Sequence, residues 1–259
     1  MKKTVLIVHA HPEPRSLTRQ LVTTAKDALT TRGHQVLESD LYGMGWKAVF
    51  DASDFLDRAN PEKLSYIPES GHAFSTGTQT KDVEEEQAKL LQADAVVFQF
   101  PLWWFSFPAI MKGWVDRVFA YGLAYGYRGE GSRYRYGEGG FSGKRALLSI
   151  TAGGTAEEYT ERGINGLLEE VLFPITHGTL FFSGMEVLPS FAVYDTSRID
   201  EAGVTAAKLA LEQRLDNLFV DAPIAYRQQN GGDYPDRRVL APEILPKHLG
   251  IAAHSKREG

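Results

Sequence analysis

The sequence predicts an α/β protein: a doubly wound, five-stranded parallel sheet with helices on both faces and a C-terminal extension. Two observations carry that prediction. Five strand-like runs, TVLIVHAH (4–11), HQVLESDL (34–41), AVVFQFP (95–101), KRALLSITAGG (144–154) and MEVLPSFAV (185–193), alternate with segments of helical spacing. Several of the runs are nearly continuous in apolar residues, as expected for strands covered on both faces. Strands that alternate with helices pair in parallel through right-handed crossovers.

Taken in order, the first run leads into a helix over 16–32, with Ser16 suited to its N-cap and Gly33 to its stop. HQVLESDL is the second strand. A polar stretch then reads as irregular until KDVEEEQAKLLQAD (81–94), which has helical spacing and feeds the third strand. Pro108 suits the first turn of a helix over 108–121. The Gly/Tyr/Arg-rich segment YGLAYGYRGEGSRYRYGEGG (121–140) separates that helix from the fourth strand, which ends in a glycine turn and precedes a helix expected near 156–171. The fifth strand precedes an amphipathic helix over about 199–219. On this reading residues 1–220 form one domain. Residues 221–259, rich in proline and charge, form an extension packed on it or on a partner subunit.

Composition removes several function classes. The chain has 259 residues, 43% hydrophobic and 24% charged, enough to bury a large core. A net charge of -5 without a long Lys/Arg tract argues against nucleic acid or an anionic membrane as the main partner. The absence of cysteine removes disulfides, thiol nucleophiles and cysteine metal ligands, and agrees with a cytoplasmic location. The apolar run in MKKTVLIVHAH is too short for a signal-peptide core. Ala95 to Met111 is largely apolar, but Gln99, Pro101, Ser106 and Pro108 interrupt it and it falls short of the roughly 20 residues of a membrane span.

Ligands of parallel sheets bind at the carboxyl ends of the strands. Here the ends of strands one, three and four carry HAHPEPRSLT, FPLWWFSFP and ITAGGTAEEY. No GxGxxG follows a strand, and GGFSGKR (139–145) has Glu138 where a phosphate loop needs its first glycine and Arg145 where it needs Ser or Thr. His11, Ser16 and Thr18 surround the start of the first helix, where unpaired N–H groups and the helix dipole favour an anion. Equally, Ser16 can serve only as a cap and His11 only close the strand. A metal at His9 and His11 lacks an obvious third ligand.

Phe98, Phe100 and Trp114 read as core, whereas Trp103, Trp104 and Phe105 lie beyond Pro101, where a loop is normally polar. They form a wall for a planar ring system, an interface with another chain, or both. Thr151, Ala152, Gly153 and Gly154 let backbone N–H groups approach a ligand closely, and Tyr159 sits about one turn further on. An anion site, an aromatic wall and a backbone cradle on adjacent strand ends fit a flavin nucleotide.

Three stretches, LIVHAHPEPRSLT (6–18), FQFPLWWFSFPAIMKGWVDRVF (98–119) and SITAGGTAEEYTERGING (149–166), together resemble the NAD(P)H:quinone reductases of the DT-diaphorase type, including the relative that prefers dihydronicotinamide riboside. The resemblance runs from about residue 4 to 225. It implies a flavodoxin-like fold, tightly bound FAD ahead of FMN, NADH or NADPH as donor, and an obligate homodimer with two sites at its interface. The implied reaction is two-electron, ping-pong reduction of quinones, with azo and nitro compounds as further acceptors. By position it implies flavin contacts at His11, Ser16, Leu17 and Thr18 near the diphosphate, and at Pro101, Leu102, Trp103, Trp104 and Phe105 along the ring. Thr151, Ala152, Gly153, Gly154 and Tyr159 would lie at the pyrimidine edge. Tyr125, Tyr127 and Phe182 would enclose the nicotinamide or quinone ring, the two tyrosines coming from the partner subunit.

The N–H groups at Gly153 and Gly154 and the hydroxyl of Tyr159 are the expected stabilisers of charge on reduced flavin. Asn165 stands where the family's quinone reductases often carry a histidine, and Trp103 where the family has a ring-facing glutamine. The insertion around 129–140 alters the pocket's far wall. Without cysteine, the metal site of the riboside-dependent relative is not expected. Two rival readings are a flavodoxin-type electron carrier and a flavin-bearing regulatory subunit of an ion-efflux system.

Overall fold

Successive side chains of a strand point to opposite faces, so each central strand feeds two cores. In the computed structural model, which describes residues 2–128, 132–244 and 250–256, Val5 and Ile7 of β1 (Thr4–His9) pack with Leu21, Ala25 and Leu29 of α1 (Leu17–Thr31). Leu6 and Val8 face the opposite layer. The chain continues through β2 (Gln35–Asp40), α2 (Tyr66–Thr76) and α3 (Lys81–Gln92) into β3 (Ala95–Pro101), every residue of which is buried. It then forms α4 (Ala109–Val118), a small hairpin of β4 (Gly126–Arg128) and β5 (Ser132–Tyr134), and β6 (Arg145–Thr151). Two short helices, α5 (Leu168–Val171) and α6 (Phe173–Ile175), lead into a π-helical turn over Thr176–Phe181. β7 (Glu186–Val187), β8 (Phe191–Val193) and α7 (Glu201–Asp216) follow.

The main sheet is parallel with order β2-β1-β3-β6-β7, and β8 also pairs with β6. Val96, Phe98 and Phe100 of β3 share one core with Leu90 of α3 and Met111 and Trp114 of α4. Leu147 of β6 shares the other with Leu211 and Leu215 of α7. Each large apolar side chain buried in this way contributes roughly 1.5–3 kcal/mol. The strand order reverses beside β1, which opens a crevice between the carboxyl ends of β1 and β3.

Five strand positions match those expected, with the fifth split in two. β7 pairs with Arg145 and Ala146, and β8 with Ser149 to Thr151. Pro189, between them, has no N–H to give to a ladder.

The helix expected near 156–171 is not continuous. Residues 156–159 form a 3-10 turn, and helix resumes only at Leu168. Gly163 packs on the Glu158 carbonyl and Gly166 adopts φ 76°, a left-handed value. Each glycine costs about 1 kcal/mol inside a helix, so the pair breaks it.

The stretch read as irregular before residue 81 contains α2. Pro68 fits its first turn, which needs no N–H, and Gly77 closes it at φ 69°. Its inward face carries Glu69, only 1% exposed, whose carboxylate accepts the N–H groups of Ala59 and Asn60 at 2.8 and 2.9 Å. A buried carboxylate of this kind hides the apolar period.

Beyond α7 the chain returns to the sheet edge. Ile224 N–H donates to Val187 O at 2.7 Å, and Tyr226 and Thr176 share a buried hydroxyl hydrogen bond of 2.8 Å. Among the described residues no helix is long and apolar enough to cross a membrane.

Candidate active site

At the carboxyl ends of β1, β3 and β6 lies a cleft of about 380 Å³, lined by His11, Ser16, Leu17, Thr18, Pro101, Leu102, Trp103, Thr151, Gly153 and Thr196. Sequence reasoning anticipates all of these but Thr196. That residue sits in the Asp-Thr-Ser turn after β8, and a polar turn following the fifth strand was the available signal.

β1 delivers two histidines to different environments. His9 is fully buried, with Nε2 2.9 Å from Glu38 and Nδ1 3.1 Å from Arg19, inside an ionic network beneath α1. His11 reaches the cleft. Its Nδ1 accepts the Glu13 N–H at 3.0 Å, so the neutral ring carries its proton on Nε2. Burial pushes the His11 pKa below the ordinary histidine value, which keeps the ring neutral at pH 7.

Ser16 does cap α1, its Oγ accepting Arg19 N–H at 3.2 Å, and it lines the cleft as well. The N–H groups of Leu17 and Thr18 belong to the first turn, which finds no acceptor within a helix. Thr18 Oγ1 and Thr151 Oγ1, both buried, lie 2.8 Å apart and tie the start of α1 to the end of β6.

At the end of β3 the chain makes a sharp turn. Leu102 N–H donates to Thr151 O at 2.8 Å, and Trp103 pairs with Ser106 across a single antiparallel bridge. The two residues between them, Trp104 and Phe105, have φ values of 51° and 58°. Two successive positive φ angles mark a type I′ turn, normally occupied by Asn-Gly. Bulky aromatics there carry strain of order 1 kcal/mol each. Trp104 is nonetheless 92% exposed, and Trp103 and Phe105 are 41% and 49% exposed. Phe107, behind the turn, is buried against Phe100 with ring centroids 4.9 Å apart. The Trp103 ring lies 5.9 Å from the His11 ring.

β6 ends in a cradle whose flanks are tied and whose centre is free. Ala152 N–H donates to Val193 O at 2.8 Å, its carbonyl accepts from Thr196, and the Gly154 carbonyl accepts from Asp195. At Gly153 an added Cβ would meet nothing within 4 Å, so this backbone faces open cleft.

Tyr159 is buried with its ring 5.5 Å from Tyr194. Burial first, and the Glu158 charge second, push its hydroxyl pKa above the ordinary tyrosine value, so it stays a donor. Asn165 N–H donates to Glu158 O at 3.0 Å, and its Nδ2 lies 3.5 Å from the Glu158 carboxylate. That carboxylate also occupies the space an added Cβ would need at Gly154. Sequence reasoning does not single out Glu158, because a glutamate in a polar turn reads as solvated surface.

Two of the three residues expected to enclose the second ring, Tyr125 and Phe182, stand apart from the cleft. Tyr125 and Phe182 pack on each other with centroids 5.3 Å apart, and Phe182 meets Tyr136 edge-on at 4.9 Å. Neither Tyr125 nor Phe182 lines the cleft. The Tyr127 backbone belongs to β4, and its side chain lies outside the described residues, as do residues 129–131 of the insertion. No group of three His, Asp or Glu residues among those described is placed to hold a metal ion.

The flavodoxin-like fold family matches residues 3–215. A ribosyldihydronicotinamide dehydrogenase-like protein of Penicillium crustosum is 47% identical over 98% of this chain and 96% of its own length. The ribosyldihydronicotinamide dehydrogenase [quinone] of Pongo abelii is 43% identical over 86% of this chain and 94% of its own. The chain belongs to the flavodoxin-like quinone reductase family. A solved Klebsiella pneumoniae structure, provisionally named a quinone reductase, superposes with a TM-score of 0.94 at 49% identity, covering 98% of this chain and 100% of its own. The family match stops within α7, whereas the Penicillium and Klebsiella alignments take in nearly all of the chain, tail included.

Proposed function

We propose that this chain is a flavin-dependent oxidoreductase that reduces quinones with two electrons taken from NADH or NADPH, with FAD as its flavin. The cleft at the ends of β1, β3 and β6 carries this reading, because three different kinds of group converge on it. The first-turn N–H groups of Leu17 and Thr18 and the Nε2–H of His11 suit a diphosphate. The strained aromatic turn supplies flat surface for a ring system, and Gly153 leaves its backbone open to close approach. Names given to the Penicillium and Pongo relatives support the dihydronicotinamide and quinone parts of the reading.

When bound, a flavin supplies the two-electron chemistry, accepting a hydride from the nicotinamide and delivering it to the quinone. The chain's own residues orient and stabilise. The Tyr159 hydroxyl donates a hydrogen bond toward the pyrimidine edge, together with the N–H groups of Gly153 and Gly154. Asn165, held by Glu158, donates through its amide and exchanges no proton near neutral pH. Azo and nitro compounds of similar flat shape are further acceptors.

The active unit is a homodimer in which Tyr125, Tyr127 and Phe182 of one chain close the cleft of the other. The separation of Tyr125 and Phe182 from their own cleft, and the bare face of Trp104, support this arrangement. Residues 1–220 form the catalytic domain and 221–259 an extension, and the cysteine-free sequence suits the cytoplasm. No observation favours a regulatory subunit of an efflux system.

The purified protein should be yellow and release about one FAD per chain on acid treatment, as expected for a single cofactor site. Protein that takes up neither FAD nor FMN overturns the flavin reading, and release of FMN alone overturns the choice of FAD. Initial rates at several quinone concentrations should give parallel lines, since one slot serves both substrates in turn. Converging lines, or an active monomer in sedimentation, overturn the shared slot and the dimer respectively.

A further inference from the structure

A second cavity, of about 340 Å³, lies between the π-helical turn and the tail, and the arginines on its lining are engaged. Arg227 pairs with Asp233 at 2.6 Å, Arg237 has a partner of its own, and Arg238 lies beside the Asp236 charge. The edge of the cleft beyond β6 differs, because it holds a charge with no such match, the carboxylate of Glu158.

Three observations place that carboxylate. Its Oε2 occupies the space an added Cβ would need at Gly154, so it rests on the cradle backbone itself. The Asn165 amide approaches it at 3.5 Å, while the Asn165 N–H donates to the Glu158 carbonyl at 3.0 Å. Its charge is also the second cause, after burial, of the raised Tyr159 pKa. Three of the groups expected at the reacting edge of the flavin therefore surround one negative charge.

Among the described residues no lysine or arginine pairs with Glu158. Arg198 lies within range of its charge, but that guanidinium is mostly exposed and held by Asp195 at 2.8 Å. Glu157, next in the chain, is exposed and bonded to Thr155, where water screens it. Glu158 is half-buried and screened less.

A hydride carries two electrons and one proton, so the group that accepts it gains one negative charge. A carboxylate nearby raises the energy of that reduced form and leaves the uncharged oxidised form almost untouched. The N–H groups of Gly153 and Gly154 and the Tyr159 hydroxyl act in the opposite sense. We propose, on the flavin reading of the cleft, that Glu158 sets the flavin's potential, holding it below the value that the backbone cradle and Tyr159 alone would give. Reduced flavin then gives up its hydride readily to the quinone. Glu158 itself touches no reacting atom and acts as a positioning residue, through its charge and through the Asn165 amide.

The test uses the full chain loaded with FAD and measures the two-electron midpoint potential by equilibration with a reference dye. Glu158→Gln keeps the shape and an oxygen facing Asn165 but removes the charge. It should move the equilibrium about tenfold toward reduced flavin, a rise of about 30 mV for a two-electron couple. Affinity for oxidised FAD should not change, because no charge develops in that state. The gap between variant and wild type should narrow in about 1 M salt, where the Debye length is about 3 Å. Glu158→Asp, which keeps the charge, should restore most of the wild-type value. An unmoved potential in flavin-loaded Glu158→Gln overturns the role of Glu158 and leaves the flavin reading standing, whereas a wild-type chain that takes up no flavin removes that reading first. Loss of flavin from Glu158→Gln, an equal rise in Glu158→Asp, or a gap indifferent to salt would assign the residue to packing and overturn the proposal.

Discussion

The cleft at the ends of β1, β3 and β6 is assembled from loops that leave strands of one sheet, so the sheet itself sets the spacing of its walls. The tail cavity is assembled from the insertion at Tyr136, the π-helical turn and the tail residues Arg227 to Arg238 with His254, which are joined by long-range bonds such as Gln229 N–H to Tyr136 O and by ring contacts such as Tyr136 with His177. Strand-end loops inherit their geometry from a buried sheet. The tail inherits its geometry from a few hydrogen bonds and ring contacts outside any sheet ladder, and segments held in that way open at lower free energy than the core. The cleft and the tail cavity therefore differ in what disturbs them: steric change at the cleft, loss of local order at the tail.

Filling the cleft is expected to give the largest effect and to leave the fold untouched. Gly153→Leu should weaken flavin retention by about 100-fold, because the backbone there can no longer approach a ligand closely. Melting of the flavin-free protein should stay within about 1 °C of wild type, since the added side chain meets open space. A large fall in flavin-free stability would mean that Gly153 is needed for packing, and the contrast between cleft and tail would blur.

Next in size is Tyr159. Tyr159→Phe should slow flavin reduction in single turnovers by about tenfold, the loss of one hydrogen bond to a developing charge. An unchanged rate would remove the hydroxyl from the mechanism. Asn165→His gives a related signature. Beside the Glu158 carboxylate the new imidazole should titrate above 6.5, so the reduction rate, expected to be flat in the wild type, should acquire an inflection there. A flat profile in the variant would show that this position does not face the reacting centre.

The strained turn offers a smaller effect with opposite signs in its two readouts. Trp104→Asn combined with Phe105→Gly places preferred residues at the two positive φ angles, and should stabilise the flavin-free protein by about 1 kcal/mol in denaturant titrations. Flavin affinity should fall in the same protein. A gain in both would mean that the aromatics contribute no binding surface.

The smallest effect is expected at the tail. The unfolded chain protonates His177 near pH 6.5 and the folded chain only near 4, so falling pH favours unfolding across that window. His177→Phe removes this penalty and should move the acid-unfolding midpoint down by about a few tenths of a pH unit. A shift toward higher pH would mean that the imidazole is protonated and stabilising in the folded state.

The sheet and the cleft were legible in the sequence because apolar runs and the loops after them are local patterns. Phe98, Trp114, Ser16 and Gly153 could be placed from their neighbours alone. Elsewhere distant contacts override the local pattern. Residues 156–171 have helical composition, but Gly163 is packed on the Glu158 carbonyl and Gly166 is left-handed. Glu69 sits inside α2's buried face because two backbone N–H groups from residues 59 and 60 satisfy it. Thr196 enters the cleft only because β8 runs beside β6. The tail cavity pairs Phe173 and His177 with residues more than fifty positions away, and no window of sequence shows that meeting.

A π-helical turn contains about one residue more than the α-helical turn it replaces, and each residue of an α-helix accounts for roughly 100° of rotation. Within Thr176–Phe181 that surplus residue sets His177 toward the tail and leaves Phe182, just beyond, against Tyr125. Losing it by a single-codon deletion would turn one ring away from its place whichever end of the segment moved. In descent, then, the tail cavity and the Tyr125–Phe182 cluster are bound by a shared reading of chain length. Relatives that differ by one residue here should differ at both places together, whereas substitutions within the segment can alter either place alone.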